Sequence, residues 1–159
     1  MSALRLAAFA VSLIVWIVPA AAIDIREVKS NGGITAWLVQ DSTNPLIAMQ
    51  FSFTGGATND PAGKEGTAHF LTGMMDEGAG DLDSTAFQER RDELAMKMSF
   101  DSSFDNFSGS FQTLTAHRDE SFALLKLALT APRFDQPAFE RIRDQLIIGA
   151  RQNEENPDE

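Results

Sequence analysis

The stretch GTAHFLTGMMDEG, residues 66–78, places a single histidine, His69, near the start of a predicted helix. Two histidines four residues apart on a helix can hold one zinc ion, and a glutamate between them can activate the bound water. The inverted order H-x-x-E-H does the same chemistry. After His69, those positions are filled by Thr72 and Gly73. Glycine offers no ligand and a threonine hydroxyl is too weak a base at neutral pH, so one ligand of the pattern is present.

The nearest other donors are two carboxylates at the end of the same helix. Asp76 lies seven residues after His69, on roughly the same helical face, and Glu77 follows it. One histidine with a carboxylate two turns away is too sparse for a tetrahedral zinc site. The second histidine of the chain, His117, is predicted to be a surface or helix-capping residue.

Composition excludes several classes of protein. The 159 residues carry a formal net charge of −10, and 43% of them are hydrophobic, which fits one small globular domain. The acidic balance argues against nucleic acid and anionic membranes as partners, because both attract Lys and Arg. The absence of cysteine excludes disulfides, thiolate zinc sites and a cysteine nucleophile.

Residues 1–22 are typical of a secretory signal peptide. Arg5 provides the charged start, residues 6–18 are apolar, and residues 20–22 are alanines of the kind that a signal peptidase reads. The apolar run is shorter than the roughly 20 residues that cross a bilayer, although an uncleaved anchor is the alternative. We expect the mature chain to begin near Ile23 and to be exported.

The rest of the chain alternates between predicted strands and helices. Periodicity and turn residues predict a hairpin of residues 34–39 with 46–53, helices at 67–75 and 84–98, strands at 99–104 and 107–114, a helix at 119–131 and a last helix after Asp135. This order predicts an α+β fold, with helices packed on one face of an antiparallel sheet.

With these elements in place, GTAHFLTGMM resembles the G-x-A-H-F-L-E-H-M segment of the pitrilysin or insulinase-like (M16) zinc peptidases. The likeness continues through STAFQERRDELAMKMSF, LLKLALTAPRFDQPAFERIRDQLI and NEENPDE. The resemblance implies an M16 peptidase-like (LuxS/metallohydrolase-like) fold. M16 proteins are clamshells of repeated domains of about 200 residues, so residues 23–159 would be an N-terminal peptidase domain, incomplete and apparently truncated.

The resemblance also assigns catalytic positions. In the family two histidines and a distal glutamate bind zinc, and the motif glutamate is the general base. His69 matches the first ligand, Thr72 the general base and Gly73 the second ligand, while aligning RDQLIIGARQNEENPDE puts Gly149 at the distal glutamate. A slipped alignment would bring in Glu154 or Glu155. His69 is therefore a residual ligand position, and the other three positions are degenerate.

Three functions remain open. The first is a catalytically degenerate M16 homologue that binds peptide substrate and partners a zinc peptidase subunit with an intact H-x-x-E-H. This chain is then expected to hold no cofactor, any zinc residing in the partner, and to have no membrane contact after signal cleavage. The second is a divergent M16 zinc endopeptidase whose metal site has moved to His69 with Asp76 or Glu77. The third is a solitary peptide-binding or scaffold protein.

Overall fold

The computed structural model describes residues 23–155, and side chains as far as residue 152. The chain divides into two compact units, the first ending at Asn44 and the second beginning at Pro45. The predicted signal peptide, residues 1–22, lies outside the described residues, and so do residues 156–159.

The described part of the first unit is a β-hairpin. Strand β1 (Ile25–Lys29) pairs antiparallel with β2 (Thr35–Val39). Gly33 has φ of 85° in the turn between them, a left-handed conformation that glycine adopts without steric cost. The prediction that residues 34–39 form a hairpin with 46–53 is wrong, because β2 pairs with the preceding strand, which the sequence reasoning had missed.

A three-stranded antiparallel sheet forms the base of the second unit. Its strands are β3 (Leu46–Thr54), β4 (Lys97–Ser102) and β5 (Asn106–Leu114), and β5 lies between the other two. The register aligns Met49 and Met98 with Phe111 from either side. Since side chains alternate between the faces of a sheet, this row of apolar residues lies on one face and the neighbouring row of polar residues on the other.

Between residues 45 and 155, four helices and two short 3-10 turns complete the second unit. The turns are Ala57–Asn59 and Thr115–His117, and the helices are α1 (Thr67–Met74), α2 (Ser84–Glu93), α3 (Arg118–Thr130) and α4 (Gln136–Glu155). Asp83 caps α2, its carboxylate accepting from the Ala86 N–H at 2.9 Å. Of the helices between residues 23 and 155, none is long and apolar enough to cross a membrane.

Helix α2 ends earlier than the predicted residue 98. Ala95 adopts a left-handed φ of 47°, and its N–H bonds the carbonyl of Asp92 at 2.9 Å, which closes the helix. The chain then enters β4, where Met98 is buried against the core. Burial of this apolar residue on the sheet overrides the helical propensity of the segment.

The main core lies between the sheet and two helices. Phe87 of α2 and Leu124 and Leu125 of α3 pack with the Met98–Phe111 row of the sheet, all of them buried. Helices therefore cover one face of an antiparallel sheet, which confirms the predicted α+β class. A second, smaller core joins α1 to α4 through Met74, Ala138 and Ile142.

Two phenylalanines give a matched test of this core. Phe87 is fully buried, whereas Phe104, in the β4–β5 turn, is 72% exposed. We expect Phe87→Ala to lower the free energy of unfolding by about 3–5 kcal/mol, because it removes a buried ring and leaves a cavity. Phe104→Ala should change it by about 0.5 kcal/mol or less. Urea unfolding measures both, and equal losses would contradict this description of the core.

Candidate functional site

Helix α1 carries the candidate site, and a carboxylate from the preceding loop fixes its first turn. Asp60 accepts hydrogen bonds from the N–H groups of Gly66, at 2.7 Å, and Ala68, at 2.8 Å. Gly66 stands just before the helix with a φ of 92°. The first N–H groups of a helix have no acceptor within the helix, and the Asp60 carboxylate provides one. Its negative charge also lies at the positive end of the helix dipole, which is favourable. This fixes the position of His69, which lies in the same first turn.

The side chains of the motif are not arranged for zinc hydrolysis. His69 is exposed, and within the described residues its ring has no hydrogen-bond partner. The Thr72 hydroxyl donates to the backbone carbonyl of His69 at 2.7 Å, a local bond within the helix. Thr72 therefore offers neither a metal ligand nor a base, and Gly73 has no side chain.

The structure brings His69 and Gly149 together. Both line an open cavity of about 930 Å³ between the start of α1 and the second half of α4. Its walls also include Lys64, Glu65, Gly66, Thr67, Phe70, Phe139, Arg143, Gln145, Leu146, Ile147 and Ala150. A Cβ atom on Gly149 would meet nothing within 4 Å. Gly149 therefore borders the same space as His69, but adds no donor to it.

Two charged side chains at this cavity interact with groups that are close to them in sequence. Arg143 bonds the neighbouring Asp144 carboxylate at 2.9 Å. The backbone N–H groups of Glu65 and Gly63 lower the pKa of the Glu65 carboxyl, which therefore stays ionised at neutral pH. Among the side chains of residues 23–152, no three His, Asp or Glu groups converge as a metal site would require. The donor set that surrounds His69 thus does not fit the zinc ion that the family uses, which needs three protein ligands.

The two carboxylates after α1 bind arginines. Asp76 accepts from Arg91 of α2 at 3.1 Å. Glu77, only 8% exposed, accepts from the Ser84 hydroxyl at 2.7 Å and from Arg141 of α4. Neither carboxylate borders the cavity that contains His69. These ion pairs connect the end of α1 to α2 and α4, a structural role that sequence reasoning missed because each partner is distant in sequence.

The remaining candidate residues either lie away from the cavity or have side chains outside the described part of the structure. His117 stands at the N-terminus of α3, half-buried, and its side chain makes no capping hydrogen bond. The side chains of Glu154 and Glu155, which a slipped alignment would bring in, lie outside the described residues. Ile142 shares helical spacing with Phe139 and Leu146, which predicts an apolar face of α4, but its contact with α1 at Gly73 was not predicted.

Fold and site together define an α+β domain of the zinc-peptidase kind with a degenerate motif. The family model described as Insulinase (Peptidase family M16) matches residues 36–159, and the chain belongs to this family. With Thr72 and Gly73 in place of the motif glutamate and second histidine, it is a catalytically degenerate M16 homologue.

Known proteins agree with this assignment. The chain is 26% identical over 118 residues to the non-peptidase homolog YmxG of Helicobacter pylori (strain ATCC 700392 / 26695), covering 72% of this chain and 27% of that protein. An M16 inactive domain from Pseudomonas fluorescens superposes with a TM-score of 0.76 at 21% identity, covering 85% of this chain and 33% of that one.

Two further solved structures share the fold. A protease from Helicobacter pylori gives a TM-score of 0.69 at 20% identity, covering 83% of this chain and 32% of that one. Pitrilysin gives 0.65 at 17% identity, covering 79% and 13%. At these identities the likeness shows the fold alone. The chain spans about a third or less of the length of each of these four proteins.

The partial burial of the Asp76 carboxyl predicts how the stability of the protein changes with pH. Burial raises the pKa of Asp76 above its ordinary 3.8, although the charge of Arg91 acts in the opposite direction. The folded state then holds the proton more tightly than the unfolded state, so this carboxyl contributes stability below pH 3.8 that is lost as pH rises through the higher folded pKa.

Comparison with Asp76→Asn isolates that contribution. The stability of the variant relative to the native chain should rise as the pH is raised from below 3.8 to neutrality, because asparagine does not ionise. Urea unfolding at a series of pH values measures the difference. A relative stability that falls with rising pH would mean that attraction to Arg91 outweighs burial.

Proposed function

We propose that this chain belongs to a non-catalytic M16 subunit that binds peptides and acts together with a separate M16 subunit bearing an intact H-x-x-E-H motif. The observation that carries the proposal is the motif itself. The helix that bears it is retained and its first turn is fixed by Asp60, while Thr72 and Gly73 supply neither base nor ligand. A preserved scaffold without catalytic groups is suited to binding rather than hydrolysis.

The edge of the sheet beside α1 supports peptides as the ligand class. Strand β4 contacts α1 and, among the strands of the second unit that the structure describes, pairs on one side only, with β5. An extended peptide can add to such an edge through backbone hydrogen bonds, which require no particular side chains. This mode of binding survives the loss of every catalytic residue.

The name of one relative supports the non-catalytic half of the proposal. The relative from Helicobacter pylori is described as a non-peptidase homolog, which agrees with the replacements at positions 72 and 73. The partner follows from the chemistry that is missing here, since zinc and a general base must come from another chain if the assembly is to cut peptides. Zinc is therefore proposed as the cofactor of the partner.

Export is part of the proposal. The charged start, apolar run and alanines of residues 1–22 support cleavage near Ile23 and export. The periplasm is proposed as the compartment on the family resemblance. N-terminal sequencing of the protein purified from fractionated native cells would locate both the mature start and the compartment.

Affinity purification from the native host tests the partnership. The full-length protein is tagged, co-purifying chains are identified by mass spectrometry, and peptide hydrolysis is measured for each chain alone and for the mixture. We expect a near-stoichiometric chain bearing H-x-x-E-H, no hydrolysis by the tagged protein alone, and hydrolysis by the mixture. Metal-dependent hydrolysis by the lone protein would contradict the proposal.

That contrary outcome would favour the divergent zinc endopeptidase, whose metal site would include His69, which is exposed at the cavity. His69→Ala would then abolish both activity and bound metal. His117→Ala is the matched control, because His117 lies on α3 and should leave both unchanged. Recovery of neither partner nor activity would instead favour a solitary peptide-binding or scaffold protein.

A further inference from the structure

Helix α1 lies directly against α4 at Gly73. A Cβ atom built on this glycine would lie 2.9 Å from Cγ2 of Ile142, closer than real Cβ contacts allow. Cγ2 branches directly from the Cβ of Ile142, so it cannot swing aside as the end of a long side chain can. Ile142 is itself buried, at 8% exposed. The absence of a side chain at position 73 is therefore used by the packing of the two helices.

Further contacts hold the same junction on either side of Gly73. The rings of Phe70 and Phe139 are 4.7 Å apart, and Met74 packs at 1% exposure with Ala138 and Ile142. These α1 residues are three to four positions apart, so they share one face of the helix. Beyond the helix end, Glu77 pairs with Arg141. The junction is held by apolar packing and one ion pair.

The distal ligand position, Gly149, is not packed against a neighbour. Nothing lies within 4 Å of a Cβ on Gly149, which borders the open cavity together with His69. One glycine is thus closely packed and the other faces open space, although both stand where the family resemblance expects a zinc ligand.

We infer that in this chain direct packing of Gly73 against Ile142 has replaced a metal ion as the link between α1 and α4. The second ligand position is closed by Ile142, whereas the distal position remains open. Restoring the missing ligands alone will therefore not restore a zinc site, because a side chain at position 73 displaces α4. The inference depends on packing within this chain and holds whether or not a catalytic partner exists.

Two glycine-to-alanine substitutions in the full chain form a matched test. Gly149→Ala should raise the thermal unfolding midpoint by roughly 2–4 °C, because alanine is the better helix former and meets no neighbour. Gly73→Ala should lower it by roughly 3 °C or more, since the added methyl group overpacks the junction. A rise in the midpoint for both variants would overturn the inference.

Ile142→Ala then tests whether the two residues are coupled. Shortening Ile142 should lower the midpoint less in the Gly73→Ala background than in the native chain, because the new methyl group fills part of the space that isoleucine leaves. Strictly additive shifts would contradict direct packing at this point.

Metal binding gives an independent readout. The variant Thr72→Glu/Gly73→His/Gly149→Glu should show no rise in its unfolding midpoint when zinc is added. With Ile142→Ala included, zinc should raise the midpoint, and EDTA should reverse the rise. The shorter side chain at position 142 leaves room for the histidine at position 73, so that zinc can bind and stabilise the fold. An equal zinc-dependent rise in both variants would show that Ile142 does not close the position.

Discussion

The double pairing of β5 is the constraint on which the second unit depends. β5 is paired over its full length with β3 and over six residues with β4, and this register brings Met49 and Met98 level with Phe111. A shift of one residue in either pairing would turn an apolar row to the polar face. Because the register holds, one face of the sheet is mainly apolar, and α2 and α3 bury it with Phe87, Leu124 and Leu125.

Helix α1 is fixed at both ends by polar contacts and along one side by packing. Asp60 supplies its first N–H groups with an acceptor, and Asp76 and Glu77 bind arginines of α2 and α4 beyond its last turn. A buried carboxylate is costly unless it is paired, so these acids are engaged with arginine charges rather than free to coordinate a metal. The helix that carries the zinc motif in M16 proteins is here retained as a structural element.

Much of the fold could be predicted because it is encoded locally. Apolar periodicity and turn residues predicted α1, α3 and α4 and both strands of the β4–β5 pair. The pairing of β2 could not be predicted, since two neighbouring segments compete for it and local pattern does not choose between them. The early end of α2 could not be predicted from the local pattern either, because it depends on the burial of Met98 against residues distant in sequence.

The sequence by itself determined that the catalytic motif is broken. A glycine at position 73 and a threonine at position 72 lack the chemistry in any fold, because the deficiency lies in the side chains themselves. Only the tertiary structure decided which side chains pack at the degenerate ligand positions. Ile142 lies 69 residues after Gly73, and Arg141 lies 64 residues after Glu77, so no local pattern reveals either contact. Helix packing brought these residues together, closing the site at Gly73 and leaving it open at Gly149.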